Sequence, residues 1–93
     1  ILDPPAYGRG ANGAKWVLEE HIGRMLECCA ELLDRERGFL VLNLYSMGLS
    51  ALLARTAVRQ CFGSEGGEEF GELYFDDRSG KSLPLGTFCR FAR

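Results

Sequence analysis

Near the amino end, Asp3, Pro4, Pro5, Ala6 and Tyr7 bring an acid, two imino acids and an aromatic ring together in consecutive positions. The apolar pair Ile1 and Leu2 before them reads as the end of a buried strand. Neither proline can extend a sheet ladder, because each lacks an N–H and has its φ angle fixed. Asp3 is also held extended by the proline that follows it. The pattern therefore predicts a carboxylate held stiffly at the carboxyl end of a strand, the edge at which open α/β sheets bind ligands. A carboxylate placed there can accept a hydrogen bond from a reacting amine or hydroxyl, and a nearby aromatic can stack on a planar substrate. The plainer alternative is an aspartate that caps a strand-to-loop turn.

Gly8, Arg9, Gly10, Ala11, Asn12 and Gly13 formally satisfy G-x-G-x-x-G. A dinucleotide fingerprint needs a strand running directly into its first glycine, and the two prolines forbid that. The stretch is instead expected to be a loop that closes over a substrate, with Arg9 either reaching a phosphate or simply solvated. Gly80, Lys81 and Ser82 resemble the end of a P-loop, but its first glycine would fall at Phe75, and a strand follows rather than a helix. Trp16 is read as a core or staple aromatic, with a stacking platform as the alternative. His21 is read as a surface helix residue without a chemical role.

Elements must place these groups. Apolar residues at Leu18, Ile22, Met25, Leu26, Cys29, Leu32 and Leu33 recur at helical spacing, and Gly38 marks the stop. The run from 39 to 45 reads as a central strand buried on both faces, ending at Tyr45 and Ser46. A second helix follows, capped by Ser46 or Ser50, with Leu49, Leu52, Leu53, Ala57 and Cys61 inward and Gly63 at its end. Segments 69–76 and 83–91 form an antiparallel hairpin. The expected order is strand end, helix, strand, helix, hairpin: an α/β chain whose strand–helix–strand unit is a right-handed parallel crossover.

The 93 residues make one domain at most, and 46% hydrophobic content is ample for a core. A net charge of −2 gives no broad basic field of the kind a free-standing nucleic-acid binder carries. Cys28, Cys29, Cys61 and Cys89 include no C-x-x-C pair and the chain has one histidine, so reduced thiols and no metal site are expected. No apolar run is long enough to span a membrane, and no signal peptide is visible. The start inside a strand, without methionine, reads as a piece of a longer protein.

The motif from Asp3 to Gly10, followed by Trp16-Val17-Leu18-Glu19 and Leu44-Tyr45-Ser46, resembles the back half of a class I S-adenosylmethionine-dependent methyltransferase. It is most similar to the ribosomal-RNA large-subunit methyltransferases and relatives carrying Asp-Pro-Pro-x-(Phe/Tyr). The aromatic stands one place later here than in the Asn/Asp-Pro-Pro-Tyr pattern of amino-methyltransferases, because Ala6 intervenes. The resemblance implies the C-terminal portion of a Rossmann-like sheet, S-adenosylmethionine as cofactor, an RNA acceptor and a cytoplasmic enzyme. It casts Asp3 and the backbone of Pro4 and Pro5 as orienting groups, and Tyr7 as a wall of the acceptor pocket. Gly8, Arg9 and Gly10 would close over the pocket, and Tyr45 and Ser46 would flank it. The related cytosine-C5 enzymes carry a nucleophilic cysteine near Tyr45. None of the four cysteines stands there, so a nitrogen or oxygen acceptor is expected. The glycine-rich cofactor-binding half would lie upstream, so the chain alone should bind cofactor weakly or not at all. A non-catalytic RNA- or protein-binding module and a dinucleotide-binding oxidoreductase fragment are the alternatives; oligomeric state is open.

Overall fold

Leu40, Leu42 and Leu44 alternate with Phe39, Val41 and Asn43, and this period of two forms a strand at Phe39–Leu44 (β3). The computed structural model describes residues 1–45 and 48–93, which leaves Ser46 and Met47 outside the described residues. Two earlier, short strands are Tyr7–Arg9 (β1) and Lys15–Val17 (β2). Two later ones, Gly67–Asp76 (β4) and Ser82–Ala92 (β5), are joined by a tight turn. The main sheet has the order β3-β5-β4, with β5 antiparallel to both neighbours. β3 and β4 therefore run in the same direction with an antiparallel strand between them.

On the edge of β3 away from β5, Leu2 forms a parallel bridge to Leu42. The Leu2 N–H donates to the Val41 carbonyl at 2.8 Å, and the Asn43 N–H donates to the Leu2 carbonyl at 2.9 Å. The strand end expected at Ile1-Leu2 is thus a single bridge. Ile1 is exposed rather than buried, since it lies before the one bridged residue.

Helices at Leu18–Leu32 (α1) and Ala51–Phe62 (α2) both pack on the same side of the sheet. Leu18 and Leu26 of α1 and Ala54, Val58 and Phe62 of α2 close over Leu40, Leu42, Leu44, Cys89 and Phe91. This arrangement corrects two expectations. β3 is covered on one face only, and Phe39 on the other face is 64% exposed. Of the inward positions expected for α2, Leu49, Ala57 and Cys61 pack against the core, but Leu52 and Leu53 do not. Ala54, Val58 and Phe62, spaced four apart, face the sheet, whereas Leu52 and Leu53 are exposed. The small Ala54 lets the helix lie close to the sheet, along β5 and β4, a choice that overrides the larger apolar area of the leucines.

The caps follow local chemistry. The Ser50 hydroxyl accepts from the Leu53 N–H at 3.2 Å, and Gly63, at φ +85°, donates to the Arg59 carbonyl at 2.9 Å. The Asp77 carboxylate accepts from the Lys81 and Ser79 N–H groups in the β4–β5 turn, and these bonds lower its pKa. The Asp34 carboxylate does the same for the Arg37 and Glu36 N–H groups after α1.

Glu68 of β4 ties the sheet to α2 by accepting from both Arg59 and Arg55. The Arg59 and Arg55 hydrogen bonds hold its carboxyl at about 2, well below the usual carboxylate range. Its folded value is depressed, so the unfolded chain binds more protons in this window and stability falls with falling pH. The stabilising share is complete above the ordinary glutamate value of 4.5 and is lost as the pH drops toward about 2. Glu68→Gln is expected to flatten the pH dependence of urea unfolding across that interval. An unchanged slope would show that the tie contributes nothing.

Candidate functional site

Two hydrogen bonds to β3 fix Leu2, and Asp3 follows immediately at the carboxyl end of that bridge. Tyr45 is the first residue after β3. The Asp3 carboxylate beside it, by hydrogen-bonding and by its negative charge, raises the phenol above its ordinary value. Asp3 is exposed and Tyr45 is 53% exposed, so the pair forms an open rim rather than a buried network. Ser46, expected to flank the same rim, lies outside the described residues.

The two prolines differ. Pro4 is buried, and its carbonyl accepts no hydrogen bond from the described residues. The Pro5 carbonyl is engaged by the Trp16 indole N–H at 2.7 Å. The Pro5 carbonyl is therefore not free for an acceptor amine unless the indole is displaced. Trp16 also stacks on His21, with centroids 5.1 Å apart and planes 25° apart. His21 is half-buried, its Nδ1 lying 2.7 Å from the Val17 carbonyl oxygen. It is thus a bracing residue at the start of α1, where a plain surface residue was expected.

The glycine-rich stretch forms no open loop. β1 and β2 pair antiparallel, with Gly8 opposite Trp16 and Arg9 opposite Lys15, around a single 3-10 turn at Ala11–Gly13. Asn12 at φ +64° and Gly13 at φ +76° allow the tight reversal, and the Gly10 N–H donates to the Ala14 carbonyl at 2.8 Å. The Leu18 N–H donates to the Ala6 carbonyl at 3.0 Å, which ties the hairpin base to α1. Gly8, Gly10 and Gly13 therefore sit in a braced hairpin, not in a turn from strand into helix. That hairpin geometry does not match a pyrophosphate-binding fingerprint.

Tyr7, Arg9 and Lys15 share the outward face of this hairpin, and the Lys15 ammonium lies 6.0 Å from the Tyr7 ring. Arg9 and Lys15, like charges directly opposite one another, form no ion pair with a carboxylate among the described residues. Such an opposed pair is mildly destabilising by itself and is relieved by an anion. No hydrogen bond or ring contact joins Tyr7 to Asp3 or Tyr45 among the described residues.

Beside Tyr45, a cleft of about 520 Å³ opens between the start of α2 and β5, lined by Leu49, Ser50, Glu72, Pro84 and Thr87 among others. The Thr87 hydroxyl oxygen is buried without a hydrogen-bond partner, and Thr87 lines this cleft. Gly86 carries φ +138°, and a Cβ there would stand 2.6 Å from the Leu44 carbonyl oxygen. Neither Gly86 nor Thr87 carries a motif in the sequence. Their roles arise only when β5 is laid against β3. Burial pushes up the thiols of Cys61 and Cys89, and Cys89 sits opposite Leu42 in mid-strand, away from the rim. Among the described residues, no helix is long and apolar enough to cross a membrane.

No protein-family model matches the chain, and neither does any curated protein. Among solved structures, it is similar to the crystal structure of a SAM-dependent methyltransferase from Agrobacterium tumefaciens, with a TM-score of 0.83 and 30% sequence identity. The match covers 96% of this chain and 31% of the other, so the chain spans about a third of that protein's length. The mixed α/β fold described above is therefore that of part of a SAM-dependent methyltransferase.

Proposed function

We propose that this chain is the acceptor-side portion of an S-adenosylmethionine-dependent methyltransferase that modifies a nitrogen or oxygen of RNA. The observation that carries the reading is the exposed Asp3 carboxylate, placed by the Leu2 bridge to β3 within a fold shared at 30% identity with such an enzyme. When bound, S-adenosylmethionine supplies an electrophilic methyl group on a cationic sulfonium. An exposed carboxylate and an aromatic face are groups that favour a cation, so the rim suits that charge.

Asp3 would accept a hydrogen bond from the N–H or O–H of the acceptor, with the Pro4 carbonyl as a second oxygen. Together they would turn the lone pair of the acceptor atom toward the methyl carbon. Holding reactants in line supplies much of the rate in such a transfer. The proton displaced from the acceptor would pass to Asp3 and then to solvent, since Asp3 is exposed.

RNA is favoured by the outward face of the β1–β2 hairpin. Tyr7 offers a stacking surface, and the unpaired Arg9 and Lys15 offer phosphate contacts. The absence of a thiol at the rim among the described residues favours nitrogen or oxygen over carbon.

The test uses the protein extended through the upstream region that this reading requires. Incubated with methyl-labelled cofactor and total RNA, it is expected to label RNA, and nucleoside mass spectrometry should place the methyl on nitrogen or oxygen. A 5-methylcytosine product would overturn the acceptor assignment, and RNA that stays unlabelled would leave only a binding module. The chain alone is expected to show no strong cofactor binding by calorimetry. A micromolar dissociation constant would refute the need for the upstream half.

A further inference from the structure

We propose that Trp16 is a positioning residue, whose indole N–H fixes the Pro4-Pro5 turn and thereby sets where the Asp3 carboxylate stands at the end of the Leu2 bridge. This deepens the proposed function, since it concerns how that same acid is presented. The segment from Leu2 to Ala6 is held at both ends. Leu2 exchanges two hydrogen bonds with β3, and the Pro5 and Ala6 carbonyls accept from the Trp16 indole and the Leu18 N–H.

Between those anchors very little can turn. Both proline φ angles are locked by their rings, and Asp3 is confined to extended conformations by the proline after it. Fixing the Pro5 peptide therefore carries through to the Asp3 side chain with few free torsions on the way. The Ala6 anchor at the base of α1 does not orient the Pro5 peptide plane itself; the indole bond does.

The indole is placed in turn by three features. Trp16 stands opposite Gly8, and a Cβ at Gly8 would lie at ordinary contact distance, 3.9 Å, from both Pro5 Cγ and Trp16 Cβ, so the turn and the tryptophan approach the same ladder position. The face of the ring stacks on His21, and its backbone is locked in the β1–β2 ladder. The hairpin is therefore a brace for the acid, in place of the closing loop that the glycine content predicts. An N–H donor 2.7 Å from a carbonyl oxygen is a short, well-formed bond, and it sits at an exposed position where packing alone would not require it.

The experiment reads Asp3 without requiring methyl transfer. Trp16 is the chain's single tryptophan, so its indole N–H gives one resonance whose solvent exchange can be followed directly. Replacing Trp16 with 3-benzothienylalanine keeps the shape and the stack but removes the donor, and Trp16→Phe is a second, smaller variant. In chain labelled with ¹³C at the tyrosine ring carbons, the Tyr45 phenol is expected to titrate at lower pH in both variants. The shift should approach that of Asp3→Asn, which removes the carboxylate directly. Urea unfolding of the benzothienyl variant is expected to stay close to that of the parent chain.

A purely structural tryptophan would change unfolding and leave the Tyr45 titration in place. That outcome, with Asp3→Asn still shifting Tyr45, overturns the proposal. An indole N–H that exchanges as fast as free tryptophan overturns it as well. These readouts concern the turn alone, so failure to methylate RNA would sink the proposed function and leave them standing.

Discussion

Asp3→Ala is expected to lower the methyl-transfer rate of the extended protein by roughly 10²-fold or more, while stability stays within about 0.5 kcal/mol. A hundredfold loss corresponds to about 2.7 kcal/mol of transition-state stabilisation, a reasonable share for one group that orients the acceptor and takes its proton. Because Asp3 is exposed, removing its side chain opens no cavity. Its neighbour Tyr45 is itself half-exposed. Asp3→Asn separates two parts of the role, since the amide oxygen can still accept a hydrogen bond but cannot take a proton. The expected order of rates is parent, then Asn, then Ala. A parent-like rate in Asp3→Ala removes the residue from the mechanism, and single-turnover measurement excludes masking by slow product release.

Gly86→Ala carries the largest expected cost to folding. At φ +138° an L side chain is strained by about 1–3 kcal/mol. The new Cβ would also meet the Leu44 carbonyl oxygen at 2.6 Å and Tyr45 Cδ1 at 3.3 Å, and overpacking of that kind costs a further ~1–3 kcal/mol. The Leu44 oxygen belongs to β3 backbone, which cannot swing aside as a long side chain can. Thermal or urea unfolding should show this loss directly. Because the clash falls at Tyr45, the Tyr45–Asp3 bond should loosen in whatever fraction stays folded, visible as a phenol that titrates closer to its ordinary value. An unfolding midpoint equal to that of the parent chain would mean that β5 can retreat from β3 without penalty.

How far the sequence discloses this molecule depends on the range of each interaction. The α1 stripe, except Leu32, which the structure leaves exposed at the helix end, the Ser50 and Gly63 caps of α2 and the β4–β5 hairpin are local, and residues within a few positions of each other specify them. The carboxylate at a strand end is local too, since Pro4 and Pro5 enforce it. The sheet order is not local. Nothing near Phe39–Leu44 announces that β5, and not β4, will lie beside it, so Gly86 and Thr87 reach the rim unannounced. On α2 the apolar pattern misplaces Leu52 and Leu53, which outweigh Ala54 on any apolar scale, while the close approach of helix to sheet favours the smaller residue. The glycines at 8, 10 and 13 pointed to a mobile loop. Cross-strand pairing of Tyr7–Arg9 with Lys15–Val17 and the indole bond to Pro5 form a braced hairpin instead.

β5 comes later in the sequence than both strands it joins. During folding, β3 and β4 therefore have no partner in the main sheet until the last of the three arrives, and each presents open hydrogen-bonding edges in the meantime. Closure demands contacts between distant parts of the chain, which slows assembly and lengthens the interval in which a foreign strand could fill the vacant lane. Any break in the polypeptide between Asp77 and Ser82 would leave the main sheet without its middle strand, and the Tyr45 rim without one wall of its cleft.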